Sequence, residues 1–456
     1  MPERTEGAGV GGVRVGLREA HAHLPWLGRS LAMVDVGPAG SLGEALGLVR
    51  RERERMDRAG EGGWVIAVGA RMESWAERRW PTRAELDAAM GSRAGFVMSF
   101  DYHALVANGA ALSAAGVSRS TPDPAGGVIG RDADGEPTGV MLEDACRVVR
   151  AAAPEPDEAA REGHVRSALT HLAGLGYTGV HDLLSPAWLG PMLGAMERSG
   201  ELGSVGFEEV GLYVPESEAA GALAGRGGWE GERVRLMGVK VFLDGTLNSR
   251  TAWVLEPFHG ALPGLECGKA MMSPGELEGV MERAGSVGLG VAVHAIGDGA
   301  VRGALDAWER VGAHRGGGSP GAEGAFMAGG VPRLRVEHCE VVDGADVGRF
   351  AGLGVVCGVQ PCHLLADIEA LTRYLPHRLD RVLPLRELID AGCVPGELLW
   401  FGSDAPIVGA DPRDSIRAAV GRGRGDGSAV IAPEQAITAA EAWGAFGVVG
   451  AAARGT

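Results

Sequence analysis

Eight short β-rich runs recur along the chain, each entered from a turn, ended by polar residues and followed by a stretch of helical periodicity. They are Val13 to His23, Tyr177 to Asp182, Val205 to Val214, Val234 to Asp244, Gly288 to Ile296, Arg333 to Val341, Gly354 to Gln360 and Leu398 to Asp404. Strand alternating with helix makes a parallel sheet, and eight such units close into a barrel. The expected fold is α/β, a TIM-like (β/α)8 barrel with a long insertion after strand 1. Residues 30–160 are too many for one helix and contain strand-like pieces at Trp64 to Val68 and Phe96 to Phe100, so 1–456 reads as a single barrel domain carrying an inserted subdomain at 30–160. Helix starts are marked by capping boxes at Ser41-Leu-Gly-Glu44 and Ser273-Pro-Gly-Glu276, and Asp298 is placed to cap the helix that follows it.

Composition narrows the function. The 43 basic residues against 59 acidic ones give a formal charge of −16, which argues against a nucleic-acid or anionic-membrane partner. The 76 glycines follow no three-residue repeat and are read as turn and loop residues. Six scattered cysteines, Cys146, Cys267, Cys339, Cys357, Cys362 and Cys393, lack zinc-ribbon or redox spacing and read as reduced structural thiols. The first twenty residues have no apolar core of a secretory signal, and no run of eighteen apolar residues occurs, so a soluble cytoplasmic protein is expected.

A barrel of this kind does its chemistry at the C-terminal ends of its strands. The first run ends in Glu19-Ala-His21-Ala-His23, and two imidazoles two residues apart share one face of a strand. The fourth, Val239-Lys240-Val241-Phe242-Leu243-Asp244, buries a lysine among apolar residues, where an unpaired ammonium is costly. A salt bridge, or conversion of the amine to a carbamate by carbon dioxide, would each relieve it, and from Lys240 alone the salt bridge is the simpler reading. The fifth, sixth and eighth runs end in His294, His338 and Asp404. Singly, each has an ordinary reading as a packed histidine or a turn cap. Together, five of eight strands deliver ligand-type side chains to the reactive face.

These positions resemble the amidohydrolase superfamily of metal-dependent barrel hydrolases, and more narrowly amidohydrolase family 3, which includes N-substituted formamide deformylases. The phrases that carry the resemblance are GWVIAVGARMESW, DYHALVANGAAL, DGEPTGVMLE, VKVFLDGTLNSRTA, HAIGDGAV, RVEHCEVV, VQPCHL and FGSDAPI, spread over almost the whole chain. The resemblance implies that His21, His23, Lys240, His294, His338 and Asp404 hold one or two divalent metals, zinc being suited to such ligands, with Lys240 carboxylated as a bridge. It also implies that metal activates a water, and that Asp404 is catalytic, taking the proton of that water and passing it to a leaving amine. His103, Asn108, Glu143 and Arg250 resemble family positions near the substrate, each with a structural alternative as cap, turn residue or ion pair; His363, just past the seventh run, is a further substrate-binding candidate whose alternative is a loop histidine. His181-Asp182 ends the second run, where it would contact substrate or support the ligands.

Two departures stand out. Family members usually carry further strands before the first histidine pair and after the last helix, which build a small β-sandwich; here it is expected to be missing or vestigial. Glu19 also stands where the family usually has Asp. The function expected is hydrolysis of a non-peptide C–N bond of amide, formamide or carbamoyl type in a small molecule. The alternatives are ring deamination on the same metal site and a non-catalytic barrel subunit, with a homo-oligomer as the compatible assembly.

Overall fold

The computed structural model describes residues 16–447 apart from 73, 74, 101, 103, 125, 126, 262, 263, 315–326, 328, 329, 425, 426 and 428. The chain divides into two compact units, one made of the residues up to Leu24 together with those from Leu169 onward, the other of Pro25–Ala168.

The larger unit is built on β1 Leu17–Ala22, β2 Tyr177–Leu183, β3 Glu209–Pro215, β4 Val234–Phe242, β5 Gly290–Ala295, β6 Leu334–His338, β7 Val356–Val359 and β8 Leu399–Phe401. These eight strands lie side by side in chain order, every pair parallel. β5, β6 and β7 are buried along their whole length, as parallel strands covered on both faces must be. The sheet curls until its edges meet: Ala22 bridges Ala405 in parallel fashion, His23 N–H donates to the Ala405 carbonyl at 2.9 Å, and Asp404 N–H donates to the His21 carbonyl at 2.6 Å. The result is a TIM-like (β/α)8 barrel. The β3 run begins later than the sequence reading placed it. Residues Glu201–Ser204 form a short helix closed by Gly206 at φ 91°, so extended backbone starts only at Glu209.

Helix starts follow local chemistry with two corrections. Ser273 and Glu276 form the full reciprocal box before the helix Pro274–Ser286. Ser41 accepts from Glu44 N–H, but the Glu44 carboxylate takes Gly40 N–H instead of returning to Ser41, so that box is half made. Asp298 is the first residue of its helix, and its carboxylate is committed to Leu255 N–H and Arg378, which tie down neighbouring loops instead of capping its own helix.

The smaller unit holds a six-stranded mixed sheet in the order Val34–Asp35, Val65–Ala70, Gly95–Ser99, Ala104–Ala107, Pro137–Glu143, Gly127–Arg131. The first three strands are parallel and the rest antiparallel. Helices Leu42–Ala59 and Arg83–Met90 bury Val49 and Leu86 in a core with Val65, Ala67 and Trp75. Among the described residues there is no further sheet. The cysteines form no disulfide, and among the described residues no helix is long and apolar enough to cross a membrane.

The glycines are more than turn residues. A side chain at Gly402, just past β8, would place its Cβ 2.5 Å from His21 N, 2.7 Å from His21 Cβ and 2.8 Å from Glu19 Oε1. Gly358 on β7 would meet the Glu337 carboxylate at 2.6 Å. These are close approaches of the barrel wall to buried polar groups. Gly402→Ala is expected to destabilise the protein by about 1–3 kcal/mol through overpacking, measured by urea unfolding. Unchanged stability would show that β1 and β8 do not close as tightly as described.

Candidate metal centre

His21, His338 and Asp404 each place one ligand atom within 4.8 Å of the other two, and all three are buried. His21 Nε2 lies 3.3 Å and His23 Nε2 2.8 Å from the same Asp404 oxygen, Oδ1. The His294 ring stands 4.4 Å from that of His338, and the His338 ring 5.0 Å from that of His21. Parallel register sets this spacing, since Ala295 pairs with His338 across β5 and β6, and Phe242 with His294 across β4 and β5. Two residues down β4 from Phe242, Lys240 is buried, with its Nζ 5.4 Å from the Phe242 ring and without a hydrogen-bond partner. His294 differs from the others in that its Nε2 is 3.1 Å from the Gly245 carbonyl and 3.6 Å from Asp244. His338 sits at φ 74°, a conformation that is rare outside glycine. That turn of the backbone lets Glu337 and His338, adjacent in sequence, both reach His21.

Beneath the ligand atoms runs a chain of buried charges. Arg335 on β6 donates Nε–H to Glu337 Oε1, one Nη–H to His181 Nδ1 at 2.9 Å and another to the Ala20 carbonyl at 2.6 Å. Glu337 Oε2 in turn lies 2.7 Å from His21 Nδ1, and His181 Nε2 lies 2.9 Å from Glu209, which Arg18 also binds. Because arginine only donates and carboxylate only accepts, His181 is neutral with its proton on Nε2. Burial opposes charge on Glu337, but Arg335 and then His21 hold its carboxyl far below the usual range. An anionic Glu337 requires the proton of His21 on Nδ1, which leaves Nε2 as a lone pair.

That lone pair faces Asp404 Oδ1 with no donor between them. Burial pushes His21 down to about 4, so it is not an imidazolium at neutral pH. Burial works against ionised Asp404 too, yet the imidazoles of His21 and His23 keep it well below the normal carboxylate range. The buried Nδ1 of His338 likewise lacks a partner, and burial, then the neighbouring His294, holds this ring well below the usual imidazole range. Two acceptors 3.3 Å apart in buried side chains are an arrangement that a cation between them would favour, so the donor set fits a divalent metal ion.

The residues expected near the substrate separate. His363 opens the helix His363–Tyr374; its Nε2 is 3.0 Å from the Ser403 carbonyl and its ring 6.2 Å from that of His338. Arg250, at φ 56° in the segment after β4, donates to the Gly260 carbonyl and lies over the Tyr374 ring at 5.0 Å. Asn108 belongs to the smaller unit and is spent on backbone: Oδ1 accepts from Gly95 and Ala111 N–H, and Nδ2 donates to Arg93 O, capping the helix Gly109–Ala114. Glu143 is the exposed last residue of its strand, at φ 52°. His103 lies outside the described residues. Asp182 accepts from Leu24 N–H and Ser185, fixing the chain just after His23.

Sequence reasoning passed over Arg335, Glu337 and Gln360, whose amide lies 3.2 Å from His21 Nδ1. The signal was present in β6, where two opposite charges two residues apart occur in an otherwise apolar strand leading to a histidine. Glu19, read as a neighbour of the ligands, accepts from His21 and Ser403 N–H, and burial raises it to about 7.

Two outcomes follow. Glu337→Gln is expected to weaken metal binding about 10–100-fold by releasing His21, read as the zinc dissociation constant with a competing chelator. Burial lowers His181 to about 4 although Glu209 pulls the other way, so its folded value lies below its unfolded one. Its stability contribution is complete above the unfolded pKa near 6.5 and is lost as pH falls toward 4, a loss of about 3 kcal/mol in total. Nitrogen chemical shifts should show a neutral Nε2–H ring down to about pH 4; a midpoint near 6.5 would refute the buried assignment.

Comparison with known proteins agrees with the barrel. The chain matches the model of the amidohydrolase family over residues 15–455. It is 29% identical to Protein LONG AFTER FAR-RED 3 of Arabidopsis thaliana, covering 89% of this chain and 68% of that one. Against the N-substituted formamide deformylase of Arthrobacter pascens it is 27% identical, covering 94% and 76%. An uncharacterized metal-dependent hydrolase from Pyrococcus horikoshii superposes with a TM-score of 0.72 at 28% identity, over 94% of this chain and 79% of that one. The chain belongs to the amidohydrolase family and has the fold of its metal-dependent hydrolases.

Proposed function

We infer that this protein is a metal-dependent hydrolase that cleaves a non-peptide C–N bond, of amide, formamide or carbamoyl type, in a small molecule. The observation that carries the reading is the buried cluster of His21, His338 and Asp404, whose ligand atoms all lie within 4.8 Å of one another. Similarity to a formamide deformylase supports the choice of bond.

The residues proposed to hold metal are His21, His23, His294, His338, Asp404 and Lys240, with one or two zinc ions as the occupants. A bound divalent metal supplies Lewis acidity, polarising the scissile carbonyl and making a water acidic enough to attack near neutral pH. The remaining work belongs to the chain. Asp404, anionic and aimed at the ligand cluster, takes the proton of the attacking water at a carboxylate oxygen and returns it to the leaving nitrogen. Glu337 keeps the proton of His21 on Nδ1 and its lone pair inward. His294 must turn from the Gly245 carbonyl to offer Nε2.

Lys240 is proposed to act as a carbamate. Burial lowers its ammonium to about 8, against the pull of Glu337 and Asp404, so a useful fraction is neutral amine near neutral pH. The amine lone pair bonds to the carbon of carbon dioxide, one C–O π pair moves onto oxygen and the nitrogen releases one proton to solvent, which exchanges an unpartnered buried cation for an anionic ligand.

Zinc-replete protein prepared with bicarbonate is expected to carry up to two metals per chain by elemental analysis, and Lys240→Ala at least one fewer. Asp404→Ala is expected to lower kcat on simple N-substituted formamides by about 10²–10⁴-fold. No metal in zinc-replete protein, or undiminished turnover without Asp404, would overturn the reading.

A further inference from the structure

We propose that His363 is a specificity-determining residue that accepts a hydrogen bond from the scissile nitrogen of the substrate, so that the protein selects amide-type groups bearing an N–H and rejects N,N-disubstituted ones. The scissile bond rests on the hydrolase reading above; the acceptor rests on the geometry of His363.

His363 is tied to the ligand cluster from several sides. It opens the helix His363–Tyr374, just past β7 at the C-terminal end of the barrel. Its backbone N–H donates to the Gln360 carbonyl at 3.0 Å, and the Gln360 amide nitrogen lies 3.2 Å from His21 Nδ1. Its ring stands 6.2 Å from the His338 ring. Its Nε2 lies 3.0 Å from the carbonyl oxygen of Ser403, the residue before Asp404. Ser403 is itself fixed, because its N–H donates to Glu19 Oε1 at 2.9 Å. The turn from Gln360 to His363 is therefore held directly against the residues that carry or adjoin His21, His338 and Asp404.

The Ser403 contact fixes what the ring offers. A carbonyl oxygen only accepts, so Nε2 carries a proton, and when the ring is neutral its lone pair sits on Nδ1. Among the described residues Nδ1 has no hydrogen-bond partner, and the side chain is half-buried. A lone pair held beside the centre reads donors. On the reacting atoms of an amide, formamide or carbamoyl group the donor is N–H, since the carbonyl oxygen accepts.

Such a contact has a use that Asp404 does not cover. When water adds to the carbonyl carbon the nitrogen becomes pyramidal, and its new lone pair must face the acid that protonates it before the C–N bonding pair leaves with nitrogen. Holding the N–H on His363 Nδ1 sets which way that lone pair points, while His363 itself gains and loses no proton. A methyl in place of that hydrogen removes the donor and crowds Nδ1, so discrimination is steep, as at sites built to hydrogen-bond a substrate N–H. The rival account is that His363 only ties its helix to the Ser403 carbonyl. That tie uses Nε2 alone and draws no distinction between N–H and N-methyl.

Calorimetry on zinc-loaded protein tests this with acetohydroxamic acid and N-methylacetohydroxamic acid, zinc-chelating probes that differ in carrying N–H or N-methyl. The first is expected to bind at least about tenfold more tightly, a difference of about 1.4 kcal/mol. His363→Ala and His363→Phe, which remove the accepting nitrogen, are each expected to reduce that preference to about twofold or less with zinc content retained. If the alanine variant fails to fold, the phenylalanine variant, which keeps an aromatic ring in place, decides. Equal binding of the two probes by the unsubstituted protein, or a preference that survives both substitutions, overturns the proposal. So does loss of zinc in both variants, which would make His363 a support of the metal site instead. Hydrolysis of N-butylformamide and N-butyl-N-methylformamide in the same preparation separates the two inferences. Comparable turnover of both removes the role of His363 alone. A hydroxamate preference without turnover of any formamide or amide removes the hydrolase reading alone, and protein that takes up no zinc removes both.

Discussion

Closure of the barrel between its first and last strands is the constraint on which the rest of the site depends. The hydrogen bonds that join β1 to the end of β8 run through His21, His23, Asp404 and Ala405, so three of the four residues whose backbone completes the sheet are candidate metal ligands. Glu19 reinforces the seam by accepting from the N–H groups of both His21 and Ser403. A carboxyl can be buried there only because Gly402 leaves it room. Fold closure and ligand placement are thus one event, and a change that loosens the seam displaces His21 and Asp404 together.

The second layer of the design is electrostatic. Arg335, Glu337 and His181 are fully buried ions and dipoles, a costly arrangement unless every member is paired. Arg335 meets this condition through Glu337, His181 and the Ala20 carbonyl, with the rings of Tyr213 and Trp400 at 5.2 and 5.1 Å. The return for that cost is orientation, because a permanently ionised Glu337 admits one tautomer of His21. In contrast, Lys240 Nζ and Glu340 Oε1 are buried without hydrogen-bond partners. Both lie toward the C-terminal ends of their barrel strands or just beyond them.

Much of this was legible in the sequence. The ligand-type residues at the ends of β1, β4, β5, β6 and β8 are visible because parallel strands buried on both faces are nearly all apolar, so a histidine, lysine or aspartate at a strand end stands out. The charges of Arg335 and Glu337 were visible but unread, since a strand pattern does not tell which neighbour a buried ion will meet. In the smaller unit, Val65–Ala70 and Gly95–Ser99 were anticipated, whereas the two-residue strand Val34–Asp35 and the hairpin Gly127–Arg131 with Pro137–Glu143 were not. Such short strands exist through pairing, and local propensity barely marks them. Asn108 is instructive in the same way: an asparagine before a helix is a cap by default, and the structure spends its amide on three backbone groups.

By itself, the sequence determined the alternation of strand and helix, hence a parallel barrel, and the residue types presented at its reactive end, because apolar periodicity and strand-end polarity are local properties. Tertiary structure alone decided which of those residues meet and in what protonation state. The lone pair of His21 faces Asp404 because Glu337, 316 residues away in the chain, holds the opposite nitrogen, and Glu337 is ionised because Arg335 is buried beside it. Hydrogen-bond direction and burial of charge depend on neighbours brought together by closure of the sheet, and no stretch of sequence contains them.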